Sequence, residues 1–134
     1  MRMKTIALFV GTLLLVSLPA LAHHPFSSEF DKNKPVTLNG TVTKVEWTKP
    51  HAYIYMDVKN EGGKTEQWKL ETASSEYLAK QGMKDTTLKI GEKVTVNGYN
   101  ATTGDHLASA RMLTMANGHS MQVCDPKEDG GPAK

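Results

Sequence analysis

The chain has 134 residues, of which 16 are Lys or Arg and 14 are Asp or Glu, and it contains one cysteine. That length holds one small domain. The near-balance of charge lacks the basic footprint of a nucleic-acid binder, and a lone cysteine excludes a disulfide framework.

Residues 1–22 read as a secretory leader. Arg2 and Lys4 supply the positive start, Ile6 to Leu18 is almost wholly apolar, and Ala20-Leu21-Ala22 places small residues where a signal peptidase cuts. The apolar run falls short of the ~20 residues that a spanning helix needs. No cysteine follows it for a lipid anchor. The expected product is a soluble periplasmic protein starting at His23, secreted outright from a host without an outer membrane. Losing Arg2 and Lys4 takes the 16 basic residues to 14, equal to the 14 acidic ones, so the pI of about 8.6 belongs partly to the leader.

Residues 23–35 form a polar lead-in ending at Pro35. A β domain is expected over 36–123. Val36, Leu38, Gly40 and Val42 alternate with polar residues, then the phase slips to Val45 and Trp47. An unpaired residue near Thr43-Lys44 would restore the buried face, which predicts a bulge in a long, bent first strand. Ala52, Ile54, Met56 and Val58 form one face of a second strand, with Tyr53, Tyr55 and Asp57 opposite. A turn at Asn60-Glu61-Gly62-Gly63 leads to Trp68, Leu70 and Thr72 on a third.

Ser74 as an N-cap and Gly82 as a stop delimit a short helix packed through Tyr77 and Leu78. Val94, Val96 and Gly98 mark a fourth strand. Ala108, Ala110 and Met112 begin a fifth, with a second slip to Leu113 and Met115. The Asn117-Gly118 turn returns Met121 and Val123 as a short sixth. Residues 124–134, rich in Gly and Pro, are expected to be disordered. Three strands, a helix, then two or three strands predict a mainly β, five- to six-stranded OB-like barrel with one short helix between strands three and four.

Several blocks together resemble a family of small exported bacterial proteins defined only as a domain of unknown function. They are His23-His24-Pro25-Phe26, Glu29-Phe30-Asp31, Gly40-Thr41-Val42-Thr43-Lys44-Val45-Glu46-Trp47, Pro50-His51-Ala52 and the stretch from Gly91 to Tyr99. The resemblance covers about residues 23–123 and is most specific from Trp47 to His51. It implies export and this fold, and brings no activity, cofactor or site residue.

Two constellations could carry chemistry. Cleavage after Ala22 would free the α-amine of His23, which together with its imidazole chelates a metal. His24 or His51 would add a third nitrogen, and such nitrogen-rich sets suit Cu(II). Copper is therefore a candidate cofactor, with His23, His24 and His51 as its ligands, although His51 also reads plainly as a turn histidine bonded to backbone. The second constellation is an aromatic ligand face of Trp47, Tyr53, Tyr55 and Tyr99, which could stack on a small ligand or a periplasmic protein partner.

The remaining groups read as structural. His106 and His119 sit in loops, and Met115 and Met121 alternate as core filling. Cys124 reads as a free thiol, an intermolecular bridge or a weak ligand. Glu46, Asp57, Glu66 and Glu71 read as carboxylates on an exposed sheet face. Zinc-binding Cys or His pairs, a nucleophile elbow and a phosphate loop are missing from the sequence. A non-catalytic binding or accessory domain is the leading expectation, a copper protein the rival, and an enzyme the third.

Overall fold

Alternating apolar residues produce the strands where expected. The computed structural model describes residues 25–131. Residues 1–24, which include the expected leader with His23 and His24, and residues 132–134 lie outside that range. The order is a short helix α1 (Phe26–Glu29), strands β1 (Phe30–Glu46), β2 (Tyr53–Lys59) and β3 (Thr65–Glu71), helix α2 (Ser75–Lys80), then β4 (Lys93–Ala101), β5 (Leu107–Met115) and β6 (Ser120–Gln122). The protein is mainly β, with six strands and two short helices among the described residues.

The strands hydrogen-bond in the order β3-β2-β1-β4-β5-β6, and β3 pairs additionally with β5. That extra pairing is parallel, matching Leu70 to Ala108, whereas the others are antiparallel. The circuit β1-β2-β3-β5-β4 therefore returns to β1, leaving β6 outside it. Inside lie Leu38, Val42, Ile54, Met56, Leu70, Val96 and Leu113, all buried, with Trp47 and Met115 packed against them. Ser74 caps α2, its hydroxyl accepting from the Tyr77 N–H at 3.1 Å, and Leu78 is the helix's buried anchor.

Both phase slips mark bulges. The β1–β2 register shifts between Val42 and Lys44, as expected. In β5 the slip falls one residue earlier than Met112. Asn97 faces Met112 and Gly98 faces Ala110, so the β4 register skips Arg111. Arg111 is buried, 2% exposed, whereas Met112 is half-buried. Gly98 makes this possible, because a Cβ there would overlap the Ser109 carbonyl.

Both chain ends differ from expectation. The polar lead-in contains α1 and the start of β1, because Phe30 is buried and pairs with Ala101 at the far end of β4. The polar residues Lys32 to Lys34 that follow are exposed, which hides the strand from any alternation test. The described part of the expected tail is folded back on the domain. Cys124 and Asp129 are buried, and Arg111 Nη1 and Nη2 donate to the carbonyls of Asp129 and Gly131. The guanidinium also lies 5.6 Å from the ring centres of both Phe26 and Tyr99. Gly130, at φ +81°, passes so close to the Phe26 ring that a Cβ would clash with it.

Candidate functional site

The folded-back ends close over the point where β2 begins and β3 ends. There a cleft of about 260 Å³ is lined by Pro25, Phe26, Glu29 and Phe30 from one end of the chain, His51 and Glu71 from the sheet, and Glu128 and Asp129 from the other. None of these described lining residues is Lys or Arg. At ~30 Å³ per water the space holds roughly eight waters, which suits an ion or a small molecule rather than an extended chain.

Backbone pairing fixes His51. The Ala52 N–H donates to the Ala73 carbonyl at 2.9 Å and the Thr72 N–H donates to the Ala52 carbonyl at 3.0 Å, so the sheet continues past β2 and β3. Thr48 Oγ1 donates to the His51 carbonyl at 2.6 Å. The imidazole Nδ1 lies 2.8 Å from the Thr72 carbonyl. A carbonyl only accepts, so Nδ1 carries the proton, and in the neutral ring the lone pair is on Nε2. Nε2 is 3.4 Å from Glu71 Oε1, and Nδ1 is 4.0 Å from Asp129 Oδ1.

Both carboxylates are shifted toward the neutral form. Burial pushes Glu71 up to about 7, and Glu29 and Asp129 add to the rise while His51 opposes it. Burial likewise raises Asp129, against the Asp125 N–H that donates to its Oδ2 at 2.6 Å. The side chains of His51, Glu71 and Asp129 are only 17%, 15% and 8% exposed. A proton or cation held among them offsets the cost of burying their charge.

His51 thus has the backbone-bonded tautomer of a turn histidine and also faces two buried carboxylates. Glu71, expected on an exposed face, is covered. Alternation places it correctly on the outer side of β3, but α1 and residues 128–129 cover that side. Strand periodicity carries no signal for such a cover. Asp129 lay in a stretch expected to be disordered, so its role depends on Arg111, which alternation also passed over.

The aromatic residues do not form one platform. Trp47 packs against the core. Tyr53 and Tyr55 share an outer face, where Lys69 Nζ stands 4.2 Å from the Tyr53 ring and 5.9 Å from the Tyr55 ring. Tyr55 also donates to Glu46 at 3.2 Å. Tyr99 is elsewhere, edge-on to Phe26 at 6.2 Å. His23 and His24 lie outside the described residues, although Pro25, which follows them, lines the cleft. Among the described residues no group of three or more His, Cys, Asp or Glu is placed to hold a metal ion.

The remaining candidates occupy structural positions. His106 is exposed, rests on Trp68 at 5.1 Å and faces Glu66 at 3.4 Å. His119 is exposed in the Asn117-Gly118 turn. Burial pushes the Cys124 thiol up, and the fold as it stands leaves no exposed sulfur for an intermolecular bridge. A larger groove of 710 Å³ includes Asn39, Asp57, Lys93 and Thr95 in its lining, but it is polar surface whose Thr95 and Asn39 side chains bond each other at 2.7 Å. No helix among the described residues is long and apolar enough to cross a membrane.

Residues 11–110 match the model of a family of unknown function, DUF6152, and the chain belongs to that family. The resemblance read from the sequence blocks is therefore borne out at the level of the family. No curated protein matches the sequence.

Proposed function

We propose that this family member is an exported, non-catalytic binding domain with an OB-like barrel, which holds a small cationic ligand in the His51–Glu71–Asp129 cleft. One observation carries the reading. Two largely buried carboxylates and a histidine gather in one cleft, walled by residues 25–30 and 128–129. Burying ionisable groups costs several kcal/mol, and such groups gathered in a cleft mark candidate functional sites. The fold part of the proposal is supported by the closed circuit of strand pairings, the bulged first strand and the helix between β3 and β4. Export is supported by the order of charge, apolar run and small residues in 1–22.

The test is to express the full chain with its own leader in a Gram-negative host and isolate it from the periplasm under native conditions. Intact mass should show a chain beginning at His23. Native mass spectrometry should show a bound ion or small molecule that Glu71→Gln protein carries at much lower occupancy. Protein retained in the cytoplasm with its leader would contradict export. Protein of bare mass, or a ligand unaffected by Glu71→Gln, would contradict the site.

A further inference from the structure

We propose that the cationic ligand of the His51–Glu71 cleft is a primary organic ammonium, whose charge lies among the carboxylates and whose hydrocarbon lies against Phe26 and Phe30. The inference rests on the binding reading of this cleft.

Two independent features of the lining point to that class. The first is charge. Glu29, Glu71, Glu128 and Asp129 all border the cleft, and none of its described lining residues is Lys or Arg. Nearby, Lys69 Nζ stands 4.2 Å from the Tyr53 ring, and Arg111 donates to the backbone carbonyls of Asp129 and Gly131. Burial pushes both Glu71 and Asp129 toward the neutral form. A cation within ~4–6 Å favours the ionised form, so a bound ammonium supplies the positive charge that a lining Lys or Arg would otherwise bring.

The second is hydrocarbon. Pro25, Phe26 and Phe30 line the same cleft, and the two phenyl rings are 5.4 Å apart. A hard inorganic cation is satisfied by a shell of oxygen ligands and gains nothing from such a lining. An alkyl or benzyl group does gain, by about fourfold in affinity for each methylene it buries, and an aromatic face attracts the ammonium itself. Among the described residues no three His, Cys, Asp or Glu side chains are placed to hold one metal ion, so the acidic groups border a volume rather than a point.

Hydrogen bonding favours a primary amine. With the Nδ1 proton given to the Thr72 carbonyl, the neutral His51 ring accepts at Nε2, which lies 3.4 Å from the accepting Glu71 Oε1. A primary ammonium carries three N–H donors and can serve both acceptors at once. The volume of about 260 Å³ is that of roughly eight waters, which limits the ligand to about eight non-hydrogen atoms. Benzylammonium has that size, and butylammonium is smaller.

The experiment titrates the full chain, expressed with its own leader and dialysed free of small amines, at pH 8. The probes are the chlorides of ammonium, butylammonium and benzylammonium, and butan-1-ol as the uncharged counterpart. Binding is read from the ¹⁵N–¹H shifts of Phe30, His51, Glu71 and Thr72. Butylammonium and benzylammonium should each bind at least ~10-fold tighter than ammonium, and butan-1-ol should leave the shifts unchanged. Glu71→Gln should weaken butylammonium at least ~10-fold. Glu66→Gln, which alters a carboxylate outside the cleft, should leave it unchanged. Ammonium binding as tightly as butylammonium, with Glu71 required, would overturn the organic ligand and leave the cation reading intact. Butan-1-ol binding as tightly as butylammonium would overturn both. Failure of both amines to shift these signals would overturn the proposal, and a different ligand retained through Glu71 would then still uphold the binding domain. Equal losses in Glu71→Gln and Glu66→Gln would assign the amines to general surface charge and overturn it too. Far-UV circular dichroism checks that each variant folds. Should Glu71→Gln fail to fold, the comparison of butylammonium with ammonium and butan-1-ol decides, because it uses the unaltered chain.

Discussion

His51 Nε2 and Glu71 Oε1 stand 3.4 Å apart where the second strand begins and the third ends. The sheet brings them together through the Ala52–Ala73 backbone pairing. Residues 25–30 and 128–129 wall the cleft around them, and burial there changes the chemistry of Glu71.

The first consequence is a pH dependence of stability. Glu71 titrates near 7 in the folded protein, far above an ordinary carboxyl, and Asp129 is raised as well. The folded state therefore holds more protons than the unfolded state between about pH 4.5 and 7, and stability falls as pH rises through that window. His51, Glu29, Asp129 and Lys69 are the charged or titratable neighbours acting on Glu71. Metal-free protein should melt at a lower temperature at pH 8 than at pH 5.5. Glu71→Gln, which cannot ionise, should flatten the difference. A Glu71→Gln melting profile parallel to wild type across pH 5–8 would show that Glu71 is not the source.

Arg111 provides a second test. It binds the Asp129 and Gly131 carbonyls from a bulge and lies between two aromatic rings. Arg111→Ala leaves buried acceptors unsatisfied and a cavity, which should cost about 2–4 kcal/mol in urea unfolding. It should also make the peptide bonds after Cys124 susceptible to limited proteolysis. Wild-type resistance of that segment in Arg111→Ala would refute the latch.

A third prediction concerns Gly98. Its missing side chain lets β4 pass the Ser109 carbonyl. Gly98→Ala should destabilise the protein by more than ~3 kcal/mol, through a backbone clash that no side-chain rotation relieves. Gly63→Ala serves as the control. It lies at φ +77° with open space around it and should cost only about 1 kcal/mol of strain. Similar losses at the two positions would contradict the close approach.

Ser74 tests a smaller effect. Its hydroxyl is the N-cap of α2, so Ser74→Ala should cost about 1 kcal/mol. Ser74→Asp should recover most of that loss, and urea denaturation of the two variants would show it.

Much of this molecule was legible in its sequence because strands print their burial every second residue. Ile54, Met56 and Val58 on one face, with Tyr53 and Tyr55 on the other, follow from that period alone. Both bulges appear as slips of phase, although the second slip conceals that Arg111, rather than Met112, is the buried residue, covered by residues 129–131. The site was less legible. His51 stood out as a histidine after Pro50, but Glu71 looked exposed, since alternation reports which side of a sheet a residue occupies and not what covers that side. The cleft around it is walled by Phe26 and Phe30 on one side and by Asp129, far away in sequence, on the other, and Arg111 touches both Phe26 and the Asp129 carbonyl. A buried arginine among small apolar strand residues was the one available signal, and it required knowing that residues 125–131 turn back.

Paramagnetic broadening tests the cation ligand proposed for the His51–Glu71 cleft. One equivalent of Mn(II), a paramagnetic stand-in for a small cation, should be added to ¹⁵N-labelled protein. The amide signals of Phe30, His51, Glu71 and Thr72 should vanish, while those of Asn39 and Thr95 in the larger groove stay sharp. Broadening centred on the exposed His106 or His119, with the His51 and Glu71 signals unchanged, would contradict it.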